Sequence, residues 1–301
     1  MKFICRLILS LTFLFSAPLF AQDEDLLSLL GNEDSLTTEY ARAAFKASRV
    51  INSHSLENVA AGVLDFRISH RFGVLNNGLY DIFGLDNATI RFGLDYGITP
   101  RLMVGVGRNS YEKTYDGFLK YKILRQSKGK RNMPVTLALA AGISINTLKW
   151  ANPDRENYFT SRLSYYYQVI LGRKFSEGFS LQVMPTLVHR NLVETTADKN
   201  DIISIGIAAR QKLSKRIAIN AEYFYVLPNQ IVTNTYYNSL SVGMDIETGG
   251  HVFQLHFTNS TAMFEKGFVA GTTNDWFDGG IHFGFNVSRV FTIAQPKNRE
   301  H

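Results

Sequence analysis

Val135–Asn146 reads VTLALAAGISIN, and every second residue is apolar: Val135, Leu137, Leu139, Ala141, Ile143 and Ile145. The interleaved positions, Thr136, Ala138, Ala140, Gly142, Ser144 and Asn146, are small or polar. A helix needs apolar recurrences three and four residues apart, whereas a period of two sends the two sets to opposite faces of a strand. The same alternation runs outward along the chain. Ile90, Phe92, Leu94, Tyr96 and Ile98 interleave with Arg91, Gly93, Asp95 and Gly97. Phe66, Ile68 and Phe72 interleave with Arg67, Ser69 and Arg71, and Ile281, Phe283, Phe285 and Val287 with His282, Gly284, Asn286 and Ser288. Continued over the chain, the pattern predicts strands at 62–73, 88–98, 102–110, 115–124, 134–146, 160–172, 179–189, 200–211, 215–226, 238–247, 251–259 and 276–291.

The connections carry an independent signal. Short links at 99–101, 173–178, 212–214 and 248–250 alternate with longer ones at 74–87, 147–159, 190–199, 227–237 and 260–275. Short turns on one side and long loops on the other are the asymmetry of a membrane barrel. The link at 125–133 is long where a short one is expected.

A soluble sandwich also alternates, with its polar face in water. Here that face mixes Gly, Ala, Ser, Thr and Asn with charges of both signs, which suits an enclosed lumen. The apolar face carries Tyr96, Tyr115, Tyr121, Tyr165, Tyr167, Tyr223, Tyr225, Phe253 and Phe257, amphipathic rings suited to a headgroup boundary. The expected fold is therefore all-β: a transmembrane antiparallel β-barrel of about 12 strands in an up-and-down meander, preceded by a short, partly helical N-terminal segment.

The N-terminus sets the compartment. Lys2 and Arg6 precede an apolar run from Leu7 to Phe20, and Ala21 offers a cleavage site, so residues 1–21 read as a signal peptide. Residues 22–60 read as a periplasmic segment or plug, 61–293 as the barrel and 294–301 as a tail. Within the second unit Thr37–Ile51 sets Tyr40, Ala44 and Ala47 on one helical face, which predicts a short helix, read as a linker or surface element ahead of a plug. The lone cysteine, Cys5, lies in the signal, so the mature chain has neither a disulfide framework nor a thiolate metal site. Of 32 basic and 26 acidic residues, Lys2 and Arg6 leave with the signal, and the mild excess that remains forms no nucleic-acid groove. The expected destination is the bacterial outer membrane, with its lipid and the barrel-insertion machinery as partners.

Seven collinear strings carry a family resemblance: FRISHRFG (Phe66–Gly73), TYDGFLKYKILRQ (Thr114–Gln126), TSRLSY (Thr160–Tyr165), MPTLVHRNLV (Met184–Val193), NAEYFYVLP (Asn220–Pro228), ETGGHVFQLHFTNS (Glu247–Ser260) and IHFGFNVSRVF (Ile281–Phe291). From about Thr38 to Ile293 the chain resembles the domain of unknown function 5777 family of bacterial membrane β-barrels. The resemblance implies an exported barrel and brings no catalytic residues with it.

The candidate functional residues are those assigned to the lumen: Arg67, Arg91, Asp95, Lys120, Lys122, Arg162, Arg210, Glu222, Asp245, Glu247, His256 and His282. Charges of both signs along an inner wall would select solutes, or would interlock and close it. His256 and His282 fall on adjacent strands, but a metal wants three or more ligands, so a hydrogen-bond network is the expected role and no cofactor is expected. His70 and His189 fall on the apolar face, on opposite sides of the ring, too far apart for shared catalysis. Three roles follow: a passive pore or transporter for small solutes, a structural or interaction barrel presenting loops to a partner, and a lipid-modifying enzyme. The first is the leading expectation.

Overall fold

In the computed structural model, residues 37–248 and 250–295 are described. Their strands are β1 (Thr38–Tyr40), β2 (Val63–Val74), β3 (Ala88–Gly97), β4 (Leu102–Asn109), β5 (Tyr115–Leu124), β6 (Ser127–Gly129) and β7 (Thr136–Ile145). They continue as β8 (Leu163–Lys174), β9 (Phe179–Arg190), β10 (Asp201–Lys212), β11 (Ile217–Val226), β12 (Ser239–Thr248), β13 (His251–Thr258) and β14 (His282–Thr292). One helix, α1 (Glu265–Ala270), lies between the last two strands. The signal peptide read at 1–21, the first part of the 22–60 segment and most of the 294–301 tail lie outside the described residues.

All strands but β1 and β6 form one closed ring, each antiparallel to its neighbours in chain order. Closure is made by β14 against β2, with Val287 opposite Ile68. This is the expected up-and-down barrel of twelve strands. Closure matters in a membrane because it leaves no strand edge with unpaired N–H and C=O groups. No helix among the described residues is long and apolar enough to cross a bilayer; the strands cross instead.

Burial is inverted relative to a soluble protein. Leu94, Val106, Leu119, Tyr121, Leu139, Tyr167, Ile203, Ile205, Tyr225 and Phe257 are exposed around the outer wall. Arg67, Arg71, Arg91, Asp95, Lys120, Glu222 and Asp245 are buried inside. An apolar belt continuous around a ring of strands is far larger than the patches soluble monomers expose. It is a lipid-facing surface.

Three differences from the sequence reading have physical causes. The last strand begins at His282, not at 276; Trp276 and Phe277 lie in the loop, where the main chain folds on itself through the bond from Gly280 N–H to the Asp275 carbonyl. The long 125–133 link carries β6, which pairs with β1 as Tyr40 opposite Ser127 and Thr38 opposite Gly129, so the extra length docks the N-terminal segment. That segment contains no helix among its described residues. The N–H groups of Ile51, Asn52 and Ser53 go to the wall carboxylate of Glu222, and those of Val50 and Ser55 to carbonyls across a turn of the segment, so none of these serves a helical ladder.

Candidate functional site

After β1 the chain enters the barrel and fills it. Ala44, Phe45, Ser48–Leu56 and Val59 are buried against the inner wall. This segment has no regular secondary structure, so each buried N–H and C=O must be met by a neighbour. The wall provides many of these partners. The Glu222 carboxylate accepts from Asn52 N–H at 2.8 Å, Ser53 N–H at 3.1 Å and the Ser53 hydroxyl at 2.7 Å. The Lys120 ammonium donates to the carbonyls of Ser55 at 3.1 Å and Ser48 at 3.4 Å. Gln182 donates to the His54 carbonyl at 2.7 Å and Asn286 to that of Ile51 at 3.1 Å, and Gln254 donates to that of Val50. The plug is thus anchored from opposite sides of the ring. An internal bridge, Arg49 to His54, folds it into a tight hairpin.

The other end of the barrel is closed by the β13–β14 loop. Its helix α1 descends inside, with Glu265, Phe268, Val269 and Ala270 all buried. The Phe268 ring stands edge-on to Phe224, with centroids 5.1 Å apart. Plug and loop meet at Glu265, which receives the Arg49 guanidinium and lies 3.3 Å from His54 Nε2. His54 also shares a 2.8 Å hydrogen bond with the Tyr166 hydroxyl.

The inner wall has two characters. On β2–β5 and β12–β14 it is mainly charged and polar, whereas on β8–β11 Ile170, Met184, Val188, Ile202, Ala208, Phe224 and Val226 are buried inward beside polar groups such as Gln182, Arg210 and Glu222. Charges on the first part are paired or engaged. Arg91 forks onto Asp116, with Nε 2.9 Å from Oδ1, and Arg67 lies 3.3 Å from Asp65. Asp95 accepts from the Ser48 hydroxyl at 2.9 Å. The stretch Gly105–Gly107 has its explanation here. A Cβ on Gly107 would lie 2.3 Å from the Arg91 guanidinium, and one on Gly105 2.3 Å from the Phe118 ring. These glycines are small so that large lumen side chains can lie flat on the wall.

Of the twelve lumen candidates, Arg67, Arg91, Asp95, Lys120, Arg210, Glu222, Asp245, His256 and His282 are buried. Lys122 and Glu247 sit nearer the turn end, facing Glu57 at 3.6 Å and Lys46 at 2.5 Å. Arg162 does not line the lumen. It belongs to a 3-10 turn, stacks 3.6 Å over Trp150 and donates to the Asn146 carbonyl at 2.8 Å. The even-numbered parity that placed it inside stops where the strand gives way to the turn. His282 bonds Asn274 at 2.9 Å, Thr261 at 3.0 Å and the Phe72 carbonyl at 2.7 Å. No cluster of metal-ligating side chains occurs among the described residues. On the lipid side His70 stacks on Phe285 and His189 meets Asp201 at 2.7 Å. Sequence reading missed Arg49, His54 and Glu265 because they lie outside the alternating strands it followed, and Tyr166 because it is an uncharged residue on the inward face of β8.

A polar lumen inside an apolar, edge-free ring of strands defines a membrane-bound β-barrel. The family model described as Membrane bound beta barrel domain (DUF5777) matches residues 45–291, and the chain belongs to that family. The match begins within the plug, so the plug is part of the family pattern. No curated protein matches the sequence. Among solved structures, the chain is similar to the NanC porin at 8% identity and TM-score 0.46, covering 76% of this chain and 98% of that one. It is similar to an outer membrane channel from Pseudomonas putida F1 at 12% identity and TM-score 0.48, covering 79% and 98%. At these levels the likenesses carry no functional argument.

Proposed function

We propose that this protein is an outer-membrane channel or transporter for small hydrophilic solutes, held closed by residues 44–59. One observation carries the reading: polar side chains from several strands of the wall are bonded directly to the main chain of the plug. Glu222, Lys120, Gln182, Gln254 and Asn286 all serve plug backbone groups. In a barrel whose lumen is only a structural filler, opposite wall residues would satisfy each other. Here, withdrawal of one N-terminal segment leaves a wall of charged and amide groups that water can solvate. Export through an N-terminal signal and short turns on the side of both chain ends support the outer membrane as the site.

Planar-bilayer conductance tests this. Full-length protein is expected to show rare openings, and a chain lacking residues 41–57 a steady conductance. Absence of channel events in both, with heat-modifiable migration showing that both barrels are folded, would sink the proposal. A second reading, an interaction barrel, draws on the β2–β3 loop, where Leu79, Tyr80, Ile82, Phe83 and Leu85 are exposed near Phe277 of the β13–β14 loop. It would be favoured by a closed lumen in both forms.

A further inference from the structure

Four arginines, Arg49, Arg67, Arg71 and Arg91, line a void of about 10 Å³ between the plug and the β2–β3 wall, together with Asn52, Ser69, Ile51 and Met263. We propose that this void is a binding site for a single halide-sized anion, which locks the plug to the wall. Three of the guanidiniums have a carboxylate: Arg49 has Glu265, Arg67 has Asp65 and Arg91 has Asp116. Arg71 has none within salt-bridge reach among the described residues, although it is only 1% exposed. Its contacts are neutral: Asn52 Oδ1 at 2.7 Å, Asn286 Oδ1 at 3.3 Å and the His70 carbonyl at 3.0 Å. A buried, unneutralised guanidinium is costly unless an anion answers it.

The donors are also in surplus. The Nε–H groups of Arg67 and Arg71 have no hydrogen-bond partner. Asn52 adds little acceptor capacity, since its Oδ1 already accepts from Arg71 and its amide nitrogen donates to Ser241 at 3.1 Å. A water molecule wants acceptors as well as donors, whereas a lining dominated by donors suits an anion. Size narrows the class: the void is at the lower limit for one water-sized species, so a monatomic anion enters only as the arginine side chains give way slightly, and a carboxylate or a phosphate is excluded. Because Arg49 and Asn52 come from the plug while Arg67, Arg71 and Arg91 come from the wall, the anion bridges the two.

The test is diffraction from crystals of the full chain grown in bromide. An anomalous peak among the four guanidiniums is expected in the wild type and its loss in Arg71→Gln. Melting temperature gives a second readout on the same variants. Chloride is expected to raise it by a few degrees over gluconate at equal ionic strength, and Arg71→Gln to abolish that rise. A void without bromide, or a chloride effect unchanged in Arg71→Gln, overturns the site. These outcomes are separate from conduction: a bromide peak in a barrel that never opens would sink the channel and leave the anion site standing.

Discussion

Replacing Glu222 by alanine is the sharpest perturbation of the plug. The carboxylate accepts three short hydrogen bonds, from Asn52 N–H, Ser53 N–H and the Ser53 hydroxyl, with Ile51 N–H a longer fourth at 3.4 Å. A bond to a charged acceptor contributes about 1.5–3 kcal/mol, and an orphaned buried donor costs about as much. Taking the lower end for each short bond, because Glu222 also loses its own desolvation cost on removal, gives about 4 kcal/mol. That difference applies only while the plug is seated, since water satisfies the same N–H groups once it leaves. The ratio of seated to withdrawn plug should therefore fall by about a thousandfold. Open probability in a planar bilayer reads this ratio, and so does the rate at which protease cuts residues 44–57 of the folded barrel. Unchanged open probability together with unchanged cleavage would refute the idea that Glu222 holds the plug by its backbone.

Three further expectations follow from single contacts. Gly107→Ala puts a methyl 2.3 Å from a guanidinium pinned by Asp116, so it should destabilise the barrel by about 1–3 kcal/mol, read as a lower unfolding midpoint in urea. Lys46→Ala breaks a partly exposed pair with Glu247 and should change plug cleavage little, by under about 1 kcal/mol; a Glu222-sized effect would mean that rim charges dominate the lock. In the outer loops, the N–H groups of Val232 and Thr233 hold the Asp198 carboxyl below its ordinary value of 3.8. A depressed folded value stabilises the loop pairing above the unfolded value, and the gain is lost only as pH falls through the folded one. Protection factors at Val232 and Thr233, with the intrinsic pH dependence of exchange divided out, should accordingly hold at pH 4.5 and fall at lower pH; a fall beginning near neutrality would contradict it.

Period-two alternation in stretches such as 135–146 and 217–225 settled strands, ring and lipid face from the sequence, because each strand's two environments are written into its own alternate residues. Within that pattern Arg67, Arg91, Asp95, Lys120 and Glu222 are buried. Strand ends were less legible. Arg162 keeps the alternating parity while its backbone has already turned, and Trp276 precedes its strand by a loop.

What the sequence by itself determined is a closed wall with an apolar outside and a polar inside. What only the tertiary structure decided is what fills that wall. Thr37–Ile51 shows helical spacing and helix-forming residues locally, yet the backbone of Val50 and Ile51 bonds to side chains as distant in sequence as Glu222, Gln254 and Asn286. Glu265 likewise becomes the partner of Arg49 only because a loop 216 residues away folds into the same lumen. Local pattern encodes the direction in which a side chain points. It does not encode which distant group waits there, and in a barrel every inward direction ends on the far side of the ring.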